Sequence, residues 1–202
     1  MKASERRAET REALVHAAEA RIAEEGLSGL KARALATEVG ISVGAIYTYF
    51  ADLDALALEV NARTFHALGA FVTEAVAAEQ GGPERQLVAM GLAYARFAAE
   101  KPRRWRAIFD IELTEDQPPP EWYMDEIRAL FRIIAQPLGT LRTDLGPEDV
   151  LLLTRALFAS VHGIVRLSVE GRVSAVPAAD MPRVIELLIS STTRPAPDAT
   201  SA

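Results

Sequence analysis

Apolar positions recur at helical spacing along almost the whole chain. Leu14, Ala18 and Ile22, with Val15 one step round, form an i, i+4, i+8 stripe, and Glu25-Gly26 supplies its stop signal. A short segment from Lys31 to Val39 ends at Gly40, and another from Ser42 to Tyr49 opens on a serine suited to cap it. From Asp54 to about Glu79 the pattern predicts one long helix with Phe65, Leu68, Val72 and Val76 on one side. At 1.5 Å per residue such a helix reaches about 39 Å, enough to join two domains. Pro83 is suited to open the next helix, Glu84 to Glu100, and Lys101-Pro102 breaks the chain again. A short helix around Arg103 to Phe109 follows, then a proline-rich loop from Thr114 to Pro120. The pattern then predicts helices at Glu121 to Gln136, with Pro137 and Gly139 marking its end, at Pro147 to Glu170 and at Met181 to Thr192. Sustained period-2 alternation and Asn-Gly or Asp-Gly hairpin turns are both missing. The expected fold is all-α with about nine helices: three short ones packed as a unit, a connector, then five more. The tail from Arg194, rich in proline and small polar residues, is expected to be disordered.

Composition narrows the class without naming a function. Half of the 202 residues are apolar and a quarter charged, as in ordinary globular proteins. Met1-Lys2-Ala3-Ser4-Glu5-Arg6-Arg7 leads into no apolar stretch of the kind a secretory signal needs. The longest apolar run, Ala156 to Val165, is about ten residues and predicts a buried helix, with no membrane partner. Cysteine is absent, which excludes disulfides and thiolate metal sites and fits a reducing cytoplasm. Arginine outnumbers lysine 19 to 3, a bias that points to GC-rich bacterial coding. The net charge of −6 argues against indiscriminate nucleic-acid binding. Even residues 1–52 carry seven basic residues against eight acidic ones, so any DNA footprint must be local.

Local chemistry is concentrated between Lys31 and Phe50. Leu35, Ala36 and Val39 are placed to face inward from the first short helix, and Gly40 permits a tight, left-handed turn. Ile41 plugs the angle, while Ile46 and Phe50 anchor the second helix. Val43, Gly44, Ala45, Tyr47, Thr48 and Tyr49 are left on or near the outward face. Two short helices joined by a glycine turn is the form of helix-turn-helix DNA readers. The pattern Leu35-Ala36, Val39-Gly40-Ile41-Ser42, Gly44, Ile46-Tyr47, Tyr49-Phe50 and Leu56 resembles the TetR family of transcription regulators across about residues 8–60. By that resemblance Lys31 reaches phosphate, and Arg33 reaches a guanine edge or a phosphate. Tyr47 and Tyr49 give their hydroxyls to phosphates, and Val43, Gly44, Ala45 and Thr48 lie close to bases. Phe50 reads as core. Two departures stand out: Lys31 occupies the cap position where the family has Ser or Thr, and Leu53 stands where it has a phosphate-binding lysine. Leu53 is flanked by Asp52 and Asp54, and Lys2, Arg6, Arg7 and Arg11 of an N-terminal arm are the candidates to compensate.

Residues 91–109 and Val161-His162-Gly163 resemble a TetR-family effector domain of the branch that carries a Trp-His-Gly motif, with Val161 in place of the tryptophan. Large residues on the expected helices give the candidate effector-binding set: Phe65, Tyr94, Phe97, Trp105, Phe109, Met124, Phe131, Phe158 and His162. Each of them also fits a plain core role. The helix from Pro147 is apolar almost all round, so it needs burial on two sides. Together with Val184, Ile185, Leu187, Leu188 and Ile189 it predicts a homodimer through a four-helix interface, as in the family.

Enzymatic readings find no support. Glu-x-x-His pairs for a di-iron bundle, phosphate loops and Gly-x-Gly-x-x-Gly are all missing. The expectation is therefore a non-enzymatic regulator without catalytic residues, metal or cofactor. Residues 1–52 would bind double-stranded operator DNA, 53–193 would bind a small-molecule effector and dimerise, and 194–202 would form the tail. The resemblance implies a cytoplasmic repressor released from DNA by its ligand.

Overall fold

A computed structural model describes residues 3–111 and 118–194. Among these residues there are nine α-helices, one 3-10 turn at Leu27–Gly29 and no strand. The predicted tail beyond Arg194, most of the predicted loop before Pro118, and Lys2 lie outside the described residues. The chain divides into two compact units, one of residues 1–67 with 101–126, the other of 68–100 with 127–202.

The first unit is built on α1 (Ala3–Glu25), whose predicted stripe is its buried spine. Leu14, Ala18 and Ile22 are fully buried, and Val15 nearly so. Against them pack Leu35 and Ala36 of α2 (Ala32–Val39), Ile46 of α3 (Val43–Ile46), Phe50, and Leu56 and Val60 from the start of α4 (Leu53–Ala78). Ala107 of α6 (Pro102–Asp110) completes this core, which residues 31–52 alone could not. Asn61 is fully buried and donates from Nδ2 to the Ala107 carbonyl at 2.9 Å, linking α4 to α6. A buried, satisfied bond of this kind contributes about 1 kcal/mol, and leaving its partners unmatched would cost more. Arg6, Arg7 and Arg11, read from the sequence as part of an N-terminal arm, lie on α1, which starts at Ala3.

In the second unit α5 (Pro83–Glu100) packs on α8 (Pro147–Val169) and α9 (Met181–Thr193). Gly91 fits the α5–α9 contact because a Cβ there would meet Ile185 Cγ2 at 2.7 Å, closer than packed atoms allow. Helix α7 (Glu121–Leu141) runs on beyond the end predicted for it, straight through Pro137 and Gly139. Proline deprives a helix of one N–H bond and crowds the preceding turn. Here the continuation carries Leu138 into full burial, and Thr140 Oγ1 donates to the Pro137 carbonyl at 2.7 Å. Packing outweighs the local signal. The helix stops where Arg142 turns back, its guanidinium on both Asp144 carboxylate oxygens at 2.8 Å and on the Thr192 carbonyl.

Helix α8 has 23 residues and, by length and composition alone, could cross a membrane, although Arg155 and Arg166 interrupt it. Leu157, Val161 and Val165 are buried, whereas Leu151, Leu152 and Leu167 are exposed, as is Leu187 on α9.

Candidate nucleic-acid interface

The turn between α2 and α3 has a specific hydrogen-bond pattern. Gly40 is left-handed at φ 74°, ψ 34°, its N–H donating to the Thr37 carbonyl, while the Ile41 N–H donates to the Ala36 carbonyl at 2.9 Å. Those two bonds satisfy carbonyls that the end of α2 leaves open, and the left-handed residue is what brings them into reach. Ile41 then folds back onto the unit's core. Ser42 caps α3, its Oγ accepting the Ala45 N–H at 3.2 Å. The α-helical part of this segment is shorter than predicted. After Ile46 the bonds tighten to Thr48 N–H on the Ala45 carbonyl and Tyr49 N–H on the Ile46 carbonyl, so the predicted helix to Tyr49 ends as turns. Thr48 Oγ1 takes the Ala45 carbonyl too, at 2.7 Å, a competing local bond that helps tighten the turn.

The side chains fall on two faces. Ile46 and Phe50 are buried; Val43, Gly44, Tyr47 and Thr48 are exposed, and Ala45 and Tyr49 are half-buried. Lys31, immediately before α2, and Arg33 on its first turn are exposed as well. Lys31 caps α2 by backbone only, its side chain making no cap bond. All eight sequence-derived DNA candidates therefore sit within 31–49 on segments fixed by one core.

Charge is sorted in a way that composition hides. Arg63 on α4 forks onto Glu12 at 2.6 and 2.7 Å and reaches Glu19 at 3.5 Å. Arg104 on α6 pairs with Glu19 at 2.8 Å. Arg21 bridges Glu38 and Glu25, fixing α1 to α2. The Arg63 fork holds the Glu12 carboxyl below its ordinary range, and Glu38 holds the Arg21 guanidinium above its own. Asp52 Oδ1 accepts the Ala55 N–H at 2.7 Å and so caps α4, and Asp54 lies in the first turn, where negative charge suits the helix dipole. Leu53 between them packs against the core, which is why this position carries no exposed cation. By contrast, the side chains of Arg6, Lys31 and Arg33 make no hydrogen bond or ion pair among the described residues. Two of the acids, Glu12 and Glu19, are matched from α4 and α6, outside residues 1–52, and Glu25 and Glu38 by Arg21, while the side chains of Arg6, Lys31 and Arg33 carry no such pair among the described residues. None of these long-range pairs has a signal in local periodicity.

The effector candidates divide between the units. Phe65, Trp105, Phe109 and Met124 belong to the first, and Tyr94, Phe97, Phe131, Phe158 and His162 to the second. In the first, Phe65 packs at 5.3 Å on Tyr123, a ring that the sequence reading passed over, and Trp105 at 5.4 Å on Phe109. In the second, Phe158 is the hub, 5.7 Å from Tyr94, 5.2 Å from Phe131 and stacked 5.7 Å from His162. Tyr94 Oη and His162 Nδ1 are 2.7 Å apart. Burial lowers the His162 pKa, with Arg166 acting in the same direction and Glu170 against it, so the ring is neutral at pH 7. Among the described residues no cluster of three or more metal-ligating acids and histidines occurs.

A family model described as bacterial regulatory proteins, tetR family, matches residues 14–60, and one described as tetracyclin repressor-like, C-terminal domain, matches 87–192. The chain belongs to the TetR family. No curated protein sequence matches it significantly. Solved structures of similar fold include a protein of unknown function from Rhodococcus sp. RHA1, 23% identical with TM-score 0.70 over 91% of this chain and 93% of that one. A TetR transcriptional regulator from the same organism is 16% identical with TM-score 0.62 over 96% and 98%. The fatty acid degradation regulator FadR from Bacillus halodurans is 15% identical with TM-score 0.59 over 91% and 94%. At these identities the likeness is one of fold. A TetR-family transcription regulator is a DNA-binding protein, and the N-terminal match covers the whole segment just described.

Proposed function

We propose that this TetR-family regulator represses transcription by binding an operator through residues 1–52 and leaves it when a small molecule binds within 53–193. The observation that carries the DNA half is the charge sorting: Arg6, Lys31 and Arg33 are unpaired on a domain whose acids are largely engaged elsewhere. Lys31, Arg33 and the Tyr47 ring are all exposed, so phosphate contacts and base contacts both have candidate donors. The recognition surface itself (Val43, Gly44, Ala45, Thr48) is small and suited to thymine methyls and close approach.

A two-fold operator needs a two-fold protein. The exposed side of α8 carries Leu152, Ala156, Ala159 and Leu167 at helical spacing, and α9 adds Leu187. Small residues at the centre permit a close approach of a second copy, and exposed apolar surface gathered on one helix face suits an interaction site. A bilayer suits the same surface poorly, because Arg155 and Arg166 are exposed on this helix and each costs about 2.5–3.5 kcal/mol at membrane depth. We assign the face to a homodimer acting in the cytoplasm. The Tyr94, Phe131, Phe158 and His162 rings, with a neutral imidazole, fit an apolar or amphipathic effector. The resemblance of residues 91–109 and Val161-His162-Gly163 supports reading the effector region as one of the Trp-His-Gly branch.

Selection of duplexes from a randomised library by the full chain tests the reading. The expected product is a pseudo-palindrome with half-site centres about one helical turn, or a multiple of it, apart. Light scattering should give twice the chain mass at micromolar concentration. Failure to enrich any duplex overturns DNA binding, and a monomer overturns the two-fold mode.

A further inference from the structure

The two arginines that α1 directs at the recognition segment are used differently. Arg11 is drawn into the fold, its Nη2 2.5 Å from Glu59 Oε1 and its guanidinium 4.8 Å over the Phe50 ring. Arg7, one turn earlier, has no carboxylate partner among the described residues. Its Nη2 donates to the Thr48 carbonyl at 3.0 Å, and its guanidinium carbon lies 5.7 Å from the centre of the Tyr49 ring. Arg7 is exposed, as are Tyr47 and Thr48.

This arrangement has two physical consequences. The Thr48 carbonyl stands at the end of the recognition segment, where carbonyls lack helical partners and carry partial negative charge, so a guanidinium is well matched to it. That bond uses one of five N–H groups, and the remaining donors and the full positive charge stay available. If Tyr49 gives its hydroxyl to a phosphate, that phosphate lies within one Debye length, about 8–10 Å, of the Arg7 guanidinium. A cation is thus held by the fold beside the recognition segment, in a protein whose α4 start offers Leu53 in place of a charged contact.

We infer that Arg7 is a second phosphate-contact site for operator DNA, tethered by the Thr48 carbonyl and Tyr49 and taking over the role that Leu53 cannot fill. The inference rests on the DNA-binding reading above. It differs from the role of Arg11, whose charge Glu59 already matches, and it makes Arg7 at once a ligand of the backbone and a strut for residues 47–49.

The probe is the duplex that the wild-type chain recovers from the randomised library, titrated by fluorescence anisotropy across a salt series. Arg7→Gln keeps a donor for the Thr48 carbonyl but removes the charge. It should reduce the slope of log affinity against log salt by about 0.9 per protomer, and at 0.15 M salt weaken binding about fivefold per protomer by counterion release alone. Arg7→Lys keeps the charge and loses the planar fork, so it should retain the wild-type slope at somewhat lower affinity. The loss in Arg7→Gln should be the same on selected and unselected duplexes, because phosphate carries no sequence information. A wild-type slope in Arg7→Gln overturns the inference while leaving DNA binding intact. Equal weakening in Arg7→Gln and Arg7→Lys with no change of slope also overturns it, since Arg7 would then be a strut only. If the wild-type chain recovers no duplex, the DNA-binding reading fails and the inference with it.

Discussion

Gly44→Ala asks whether a glycine is there for the protein or for its ligand. Gly44 is exposed in the first turn of α3, outside the positive-φ group, and a Cβ built on it meets nothing within 4 Å. The fold therefore gives no reason to exclude alanine. Alanine reduces the conformational freedom of the unfolded chain and should stabilise the native state by about 0.4–1 kcal/mol. For a chain of this size that corresponds to a rise in melting temperature of about 1–4 °C. If Gly44 faces the groove at close approach, the added methyl must push a base edge or the backbone away. Overpacking of that kind costs about 1–3 kcal/mol, or about 5- to 150-fold in affinity. Thermal melts and anisotropy titrations on the selected duplex read the two effects separately. A variant that is more stable and binds as tightly as wild type would remove Gly44 from the interface. A variant that melts earlier would refute the local geometry from which the sign was taken.

Arg33→Ala should lose about 1–3 kcal/mol of operator binding and relax preference at one base position if Arg33 reads an edge; an equal loss on every sequence would assign it to phosphate. Leu53→Lys should steepen the salt slope by about 0.9 per protomer and lower the melting temperature slightly, because the lysine stem covers the core less well than leucine; an unchanged slope would mean that this position stays away from the backbone. His162 has a lowered pKa in the folded state, so between that value and the unfolded value of about 6.5 the unfolded chain binds more protons. Its contribution is complete above about pH 6.5 and is lost as pH falls through the folded value. His162→Gln should flatten the melting temperature over pH 5–7, and an unaltered profile would show that this imidazole does not titrate as its burial requires.

Periodicity was enough for the helix inventory because each helix of this fold buries one face. Leu14, Ala18 and Ile22 are spaced by their burial, so the stripe could be read before any packing was known. The helix-turn-helix was legible for a related reason: Gly40, Ile41, Ser42 and Ile46 are each demanded by local geometry, and local geometry leaves its mark in consecutive residues. Pro137 misled because a proline announces a helix end only when no packing opposes it, and the burial of Leu138 does. The partners of Glu12, Glu19 and Thr48 were hidden for a third reason. Arg63, Arg104 and Arg7 lie between 41 and 85 positions away in sequence, and charge at such a distance has no periodicity to reveal it.

The same long-range pairs explain how a net-acidic reading domain is compatible with a polyanion. Counting residues 1–52 alone gives an excess of acid, but the balance that DNA meets is set by which charges remain unmatched at its surface. Arg63 and Arg104 take up Glu12 and Glu19 from helices outside that range, and Arg21 takes Glu25 and Glu38. Pairs that keep contact with solvent, as Arg21–Glu25 and Arg21–Glu38 do, add little to the stability of the fold. Their larger effect is on the field: a carboxylate bonded to a guanidinium repels a phosphate far less than a free one, and screening over about 8–10 Å removes most of the remainder. On the proposed mode of binding, Lys31, Arg33 and Arg7, exposed and without carboxylate partners among the described residues, would supply the local positive charge on a chain of negative net charge. A local patch of this kind on a chain of net charge −6 would favour a localised contact over indiscriminate adhesion.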